Sequence, residues 1–448
     1  MQVTETLAEG LKRELKVVIP ASELASRLDT YLEDLKGKVR INGFRPGKVP
    51  MGHMKRMYGR QATAEILNEM ITETTRKAVE ERNEKPALQP EIDLPEDDAE
   101  AILSGSSDIA YTMSYDILPE FEIIDFKTIE LERPIVEIDE AEVDEQITQI
   151  AENNKPFDTK DGPAADGDRV QMSYIGKLDG EPFEGGADEN GQLVIGSQQF
   201  IPGFEEQLVG LKAGDEKTIE VSFPEDYPAN HLAGKPVSFD IVVKEVQAPG
   251  DVKIDDEFAK GLGLEGLDKL KEIIRGQIES QYGAMTRQKV KRQLLDKLDE
   301  IYTFDLPERL VLSEFDGVWR QVEADMQREG KTFEDEGASE EESRAEYRKI
   351  AERRVRLGLV LSEVGDRNEV KVSDDEVQKA LYERVRQFPG QEKEVFEYYR
   401  SNPQALASIQ APIYEEKVVD YILELAQVTD KTVTKDELMA EDEDAAAA

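Results

Sequence analysis

Two groups of residues in this chain have the types and spacing to do chemistry. The first is aromatic. Tyr174, Phe183, Phe204, Phe223, Tyr227 and Phe239 fall in one stretch of alternating apolar and polar sequence. Rings gathered between a sheet and a short helix make an apolar pocket suited to a proline ring. The simpler expectation for at least some of them is ordinary core. A hydroxyl such as that of Tyr227 can hold a substrate carbonyl. The second group is basic. Between Leu35 and Ala64 stand Lys36, Lys38, Arg40, Arg45, Lys48, Lys55, Arg56 and Arg60, without one acid. At their centre lies Gly43-Phe44-Arg45-Pro46-Gly47-Lys48-Val49-Pro50. It offers the cations Arg45 and Lys48 and the stacking ring of Phe44. Glycines allow close approach, and prolines stiffen the loop so that less entropy is lost on docking. Arginine beside an aromatic suits structured RNA or a protein–RNA surface.

The rest of the composition sharpens that contrast. Against 98 Asp and Glu stand 56 Lys and Arg, for a formal charge of −42. Such a chain is repelled by nucleic acid and anionic membranes, so one bounded basic island implies a single docking point for a polyanionic partner. There are no cysteines, which removes thiol catalysis and thiolate metal sites. The two histidines, His53 and His231, have no metal-ligand spacing. No Gly-x-Ser-x-Gly elbow occurs. The Gly43–Lys48 segment is not a phosphate-binding loop: the glycines are too close, and Val49 stands where Ser or Thr should hold magnesium. No cofactor and no metal are therefore expected. Met1–Pro20 has charges instead of an apolar signal core, and no apolar run approaches the roughly 20 residues of a membrane span. A soluble, cytoplasmic protein is the expectation.

Elements of three kinds must position these groups, giving an α+β multidomain chain. Up to about Ser114 the sequence reads as α+β. Leu15–Ile19 is a strand, and Leu24, Leu28, Leu32 and Leu35 repeat at helical spacing before Gly37. Val39–Ile41 is strand-like, the basic loop follows, and a helix is expected over Thr63–Arg82. Residues 115–150 read as a linker. From about 151 to 247 the period becomes two, with Val170, Met172 and Tyr174, then Ile219, Val221 and Phe223, then Val237, Phe239, Ile241 and Val243. Turns are expected at Asp179-Gly180, Gly185-Gly186 and Ala213-Gly214-Asp215, and a short helix at Phe204–Gly210. From 248 to 432 helical stripes dominate, without a sustained heptad. Thr332–Ser343 reads as a loop tip, and 433–448 as an acidic disordered tail.

The octapeptide resembles the ribosome-binding signature of the trigger factor family, Gly-Phe-Arg-x-Gly-Lys-x-Pro. The resemblance runs through the central and helical regions in the family's order. It implies that Gly43, Phe44, Arg45, Pro46, Gly47 and Lys48 form the ribosome contact, although some members carry Lys where this chain has Pro46. The partners so implied are a large-subunit protein and ribosomal RNA near the tunnel exit, and nascent unfolded polypeptides. Off the ribosome the resemblance allows a weak homodimer. It also implies an all-α C-terminal domain with extended arms forming a concave surface. Flexible Met and aromatic side chains in a polar surface suit weak contact with many clients.

The central stretch is similar to the FKBP-type prolyl isomerases, an antiparallel half-barrel wrapped on one helix. That likeness makes Ile201 and Phe204 the pocket floor, with Tyr174, Phe183, Tyr227 and Phe239 as walls. Glu184 stands where many FKBPs carry Asp, and Phe204 where many carry Trp. The chemistry is rotation about an X-Pro bond, opposed by roughly 18–20 kcal/mol of amide resonance. The twisted transition state has lost that resonance and is less polar, so a dry apolar pocket favours it over the hydrated planar amide.

These readings lead to an ATP-independent, ribosome-associated chaperone that keeps nascent chains open for folding or export and carries an isomerase domain. The alternatives at this point are a free cytosolic isomerase and an RNA-binding assembly protein with a silent β domain.

Overall fold

The structure is a computed structural model that describes residues 1–39, 44, 47–95, 107–224, 227, 229, 232–333, 335 and 337–440. In chain order the elements begin with β1 (Gln2–Glu9), β2 (Lys12–Ile19), α1 (Ala21–Lys38), α2 (Met51–Arg82), β3 (Glu91–Asp93) and β4 (Ile109–Asp116). Then come β5 (Glu130–Ile135), α3 (Glu140–Asn153), β6 (Phe157–Thr159), β7 (Arg169–Leu178), β8 (Glu181–Val194), β9 (Glu216–Ser222) and β10 (Pro236–Pro249). The helices α4 (Asp256–Gly261), α5 (Leu267–Ile301), α6 (Glu308–Glu329), α7 (Glu340–Arg367), α8 (Asp374–Arg386), α9 (Glu392–Ser401) and α10 (Pro403–Leu425) follow. Strand β11 (Gln427–Thr432) and helix α11 (Lys435–Met439) come last. Two units result: Met1–Ile135 with Thr286–Ala448, and Val136–Met285.

In the first unit, β1-β2-β4-β3 form an antiparallel sheet. Alternation puts Leu15, Val17 and Ile19 of β2 and Ile109, Tyr111, Met113 and Tyr115 of β4 on one buried face. Leu24 of α1 and Ile66, Met70 and Ala78 of α2 close over it. The buried Tyr111 hydroxyl lies 2.7 Å from Thr74 Oγ1, so its polar end is satisfied. Helix α2 starts at Met51, well before the expected Thr63. Gly52, Gly59 and three cations blur its apolar period, yet Met54 and Ala62 bury against Leu32 and Val49. Of the strand-like reading at Val39–Ile41, Val39 is not in a strand, and Arg40 and Ile41 lie outside the described residues.

Three expectations are corrected in the C-terminal half and its partner segment. The helical region is not all-α, because β11 pairs in parallel with β5, Leu131 opposite Val428. Residues 115–150 are not a free tether: Phe126, Ile129 and Leu131 bury among Leu294, Leu298, Val360, Val418 and Ile422 of the helices. Residues 140–153 form α3, with Val143 and Ile147 buried. The tail expected from 433 begins instead with a folded segment. Leu438 of α11 is buried, and Thr434 and Glu437 form a capping box. Residues 441–448 lie outside the description. The same chemistry shortens the expected loop at 332–343, where Ser339 and Glu342 cap α7.

In the second unit, β6-β10-β7-β8 form an antiparallel sheet and β9 pairs with β10. Asp179 and Gly180 both have positive φ (53° and 88°) and make the two-residue β7–β8 hairpin turn. Gly185-Gly186 is not a turn but lies inside β8. A Cβ at Gly186 would stand 2.6 Å from the Phe183 ring, and one at Gly176 would stand 2.7 Å from Phe183 and Phe239. Those glycines exist to let rings lie on bare backbone. The short helix is one 3₁₀ turn, Glu205–Leu208.

Candidate functional site

The sheet of the second unit collects the aromatic side chains from distant parts of the sequence. Tyr174 comes from β7, Phe183 from β8 and Phe239 from β10. Phe204 stands at the head of the 3₁₀ turn. Phe239 is the hub, with ring centroids 6.0 Å from Tyr174, 6.0 Å from Phe183 and 5.3 Å from Phe204, all edge-to-face. This is the arrangement the ring quadrupole favours. Phe223 lies 6.1 Å from Phe183 and 4.4 Å from Tyr227. Phe204 is completely buried within the domain core. Tyr174, Phe183, Ile201 and Tyr227 are only half-buried and pack on the same cluster. Six of the seven residues expected at this site therefore come together. Glu184 does not join them; it is exposed on β8.

Burial pushes the Tyr174 phenol up, and the Asp188 carboxylate adds to the effect, so it stays protonated at neutral pH. Neither the Tyr174 nor the Tyr227 hydroxyl is bonded to another described residue, which leaves both able to donate to a substrate carbonyl.

Two residues of this site were not recognised from the sequence. The Phe200 ring lies tilted 4.9 Å from Phe204 and edge-to-face 5.9 Å from Tyr174. Glu205 is buried, and its carboxylate is enclosed by the preceding loop. Oε2 accepts from the backbone N–H of Gly196 (2.8 Å) and Gln198 (3.1 Å). Oε1 accepts from the N–H of Gln199 (3.0 Å) and Phe200 (3.3 Å) and from the Ser197 hydroxyl (3.3 Å). Gly196 and Gln198 adopt positive φ, which turns successive N–H groups inward. The carboxylate thus sets the position of Phe200 and Ile201. Both also line an adjoining cavity of about 890 Å³ that includes Gln198, Pro202 and Val209. The Phe200–Glu205 run around Pro202-Gly203 was the only signal, because a carboxylate facing backbone has no spacing rule.

At the basic island, Phe44 is exposed and its ring lies 5.1 Å from that of His53. Lys48 is exposed. The Gly47 N–H donates to the Lys36 carbonyl (3.2 Å), tying the loop to the end of α1. Gly43, Arg45 and Pro46 lie outside the described residues. In the helical region, a cavity of about 520 Å³ is lined by Leu295, Leu310, Leu357, Gly358 and Glu415, among others. Tyr382, Phe388 and Tyr398 are exposed on and beside α8 and α9. Among the described residues no helix is long and apolar enough to cross a membrane.

A half-barrel of antiparallel strands on one short turn, with rings gathered above it, defines an FKBP-type prolyl isomerase domain set within a larger α+β chain. The comparisons agree. The family profile for FKBP-type peptidyl-prolyl cis-trans isomerase matches residues 160–244. Those for bacterial trigger factor protein and for its C-terminus match residues 1–150 and 266–424. The trigger factor of Sinorhizobium fredii is 59% identical over 445 residues, 99% of this chain and 91% of that protein. That of Brucella anthropi is 56% identical over 447 residues, 99% and 94% of the two. A solved structure of the trigger factor chaperone, from work on promiscuous substrate recognition in folding and assembly, superposes with a TM-score of 0.60 at 23% identity, covering 95% of this chain and 99% of that one. The chain belongs to the trigger factor family of chaperones.

Proposed function

We propose that this chain waits at the ribosomal tunnel exit in the cytoplasm and meets nascent polypeptides there. Phe44, Arg45 and Lys48 make the contact, with Gly43, Pro46 and Gly47 shaping the loop. Its first region, residues 1–114, docks; 248–432 hold clients; 151–247 isomerise X-Pro bonds. The observation that carries the docking assignment is an exposed Phe44 beside His53 in an acid-free segment of a chain with net charge −42. An apolar ring is left in solvent at a cost unless a partner covers it, and the surrounding cations select an anionic one.

In the isomerase domain, Phe204 and Ile201 receive the proline ring and Tyr174, Phe183, Phe200, Tyr227 and Phe239 exclude water around the amide. The less polar twisted amide then lies in the medium that favours it, and a tyrosine hydroxyl holds its carbonyl. Glu184 has no role in this scheme. Pelleting with ribosomes tests the docking: wild type is expected to sediment with them at low salt, and a Phe44→Ala, Arg45→Ala, Pro46→Ala triple variant to stay in the supernatant. Equal pelleting of the two would refute the assignment.

A further inference from the structure

The basic segment does not end with the loop. His53, Arg56, Met57 and Arg60 recur at i, i+3, i+4 and i+7, which places them on one face of the first turns of α2. Arg56, Met57 and Arg60 are exposed, Met57 at 54%. His53 connects this face to the exposed Phe44 ring. The opposite face is fixed: Met54 and Ala62 are buried against Leu32 and Val49. The strip is therefore a rigid extension of the loop.

Its charge is not cancelled locally. Two neighbouring lysines are already taken up: Lys55 pairs with Asp29 (2.5 Å) and Lys36 with Glu33 (2.8 Å). Arg56 and Arg60 form no ion pair with any described residue. Two unneutralised guanidinium groups one turn apart, about 6 Å along the helix axis, are unusual in a chain this acidic. A guanidinium fork binds phosphate oxygens bidentately. Met57, between them, offers a polarizable apolar contact to a ribose or base.

We propose that Arg56, Met57 and Arg60 form a second contact strip that lies on the sugar–phosphate backbone of structured RNA, beside the contact made by the loop. The proposal rests on the docking reading above and adds residues and a partner chemistry to it. Phosphate neutralisation releases counterions, so each phosphate contact steepens the fall of affinity with salt by about 0.7–0.9 in the log–log slope.

The test is ribosome co-sedimentation of the full chain over a range of salt, comparing wild type, Arg56→Gln/Arg60→Gln and Phe44→Ala. Glutamine keeps helix propensity at these exposed positions, so the melting temperature should not change. The double variant is expected to bind more weakly at every salt concentration with a slope shallower by about 1.5. Phe44→Ala is expected to weaken binding with the slope retained. A double variant with the wild-type slope overturns the RNA contact, and one that loses affinity without a change of slope assigns the strip to a protein surface instead. Wild type that fails to sediment at low salt overturns the docking reading and this proposal with it.

Discussion

Replacing Glu205 by glutamine tests whether the pocket wall is held by a single buried carboxylate. Four backbone N–H groups and one hydroxyl converge on its two oxygens. Whichever oxygen becomes the amide NH₂, a donor then faces two backbone donors. A buried N–H left without an acceptor costs about 1–3 kcal/mol, so two cost roughly 2–6 kcal/mol. That is less than or comparable to the stability of a whole domain, and the loop can relieve it by opening alone. Amide exchange at Gly196 and Gln198, or at Gln199 and Phe200, should then accelerate at least about 30-fold, taking 1.4 kcal/mol per decade. Phe200 and Ile201 would lose their fixed positions, and kcat/KM for a proline peptide should fall about 10–100-fold. Hydrogen exchange read by mass spectrometry and a protease-coupled proline-peptide assay measure the two effects. Exchange and turnover both at wild-type values would refute the reasoning.

Phe204→Ala should remove isomerase turnover and destabilise the β domain by about 3–5 kcal/mol, since a fully buried ring is lost; Phe204→Leu should keep the fold while turnover still drops, and undiminished turnover in both would show that Phe204 is not the pocket floor. At Glu84, burial pushes the carboxyl up, but donors from Arg82, Tyr115 and Arg13 outweigh it and hold its pKa at about 2, against 4.5. A pKa lowered by folding stabilises the native state above 4.5, and the contribution is lost as pH falls through about 2. Calorimetry should therefore show a steeper loss of stability between those values in wild type than in Glu84→Gln. Replacing the exposed Tyr382, Phe388 and Tyr398 by serine should leave the melting temperature nearly unchanged. Light scattering of an aggregating client should show weaker suppression by that variant.

Much of the fold was legible because it follows period. Leu15, Val17 and Ile19 alternate in sequence and share one buried face in space. Val170, Val237, Phe239, Ile241 and Val243 do the same. What escaped depends on contacts that no local pattern encodes. Strand β11 has a single partly buried apolar residue, Val428, and its partner β5 lies 297 residues away, Asp430 opposite Arg133. The start of α2 buries one large apolar side chain, Met54, beside the small Gly59 and Ala62, within a run rich in charge. Gly185-Gly186 has the composition of a turn, but Gly186 answers to the Phe183 ring and Gly185 to a positive φ inside the strand. The aromatic site was readable as a set, since rings spaced along alternating strands converge on one face. Glu205 was not, because its partners are backbone amides, which every sequence supplies.

Docking through the basic island should bring the chaperone surface to emerging chains. Photo-crosslinking from a stalled nascent chain on purified ribosomes measures this directly, using the full-length protein and the Phe44, Arg45, Pro46 alanine triple at equal, sub-stoichiometric concentration. Wild type should crosslink through residues 248–432 and the triple variant should not. Crosslinks of equal strength from both would mean that clients reach the chaperone without the docking loop.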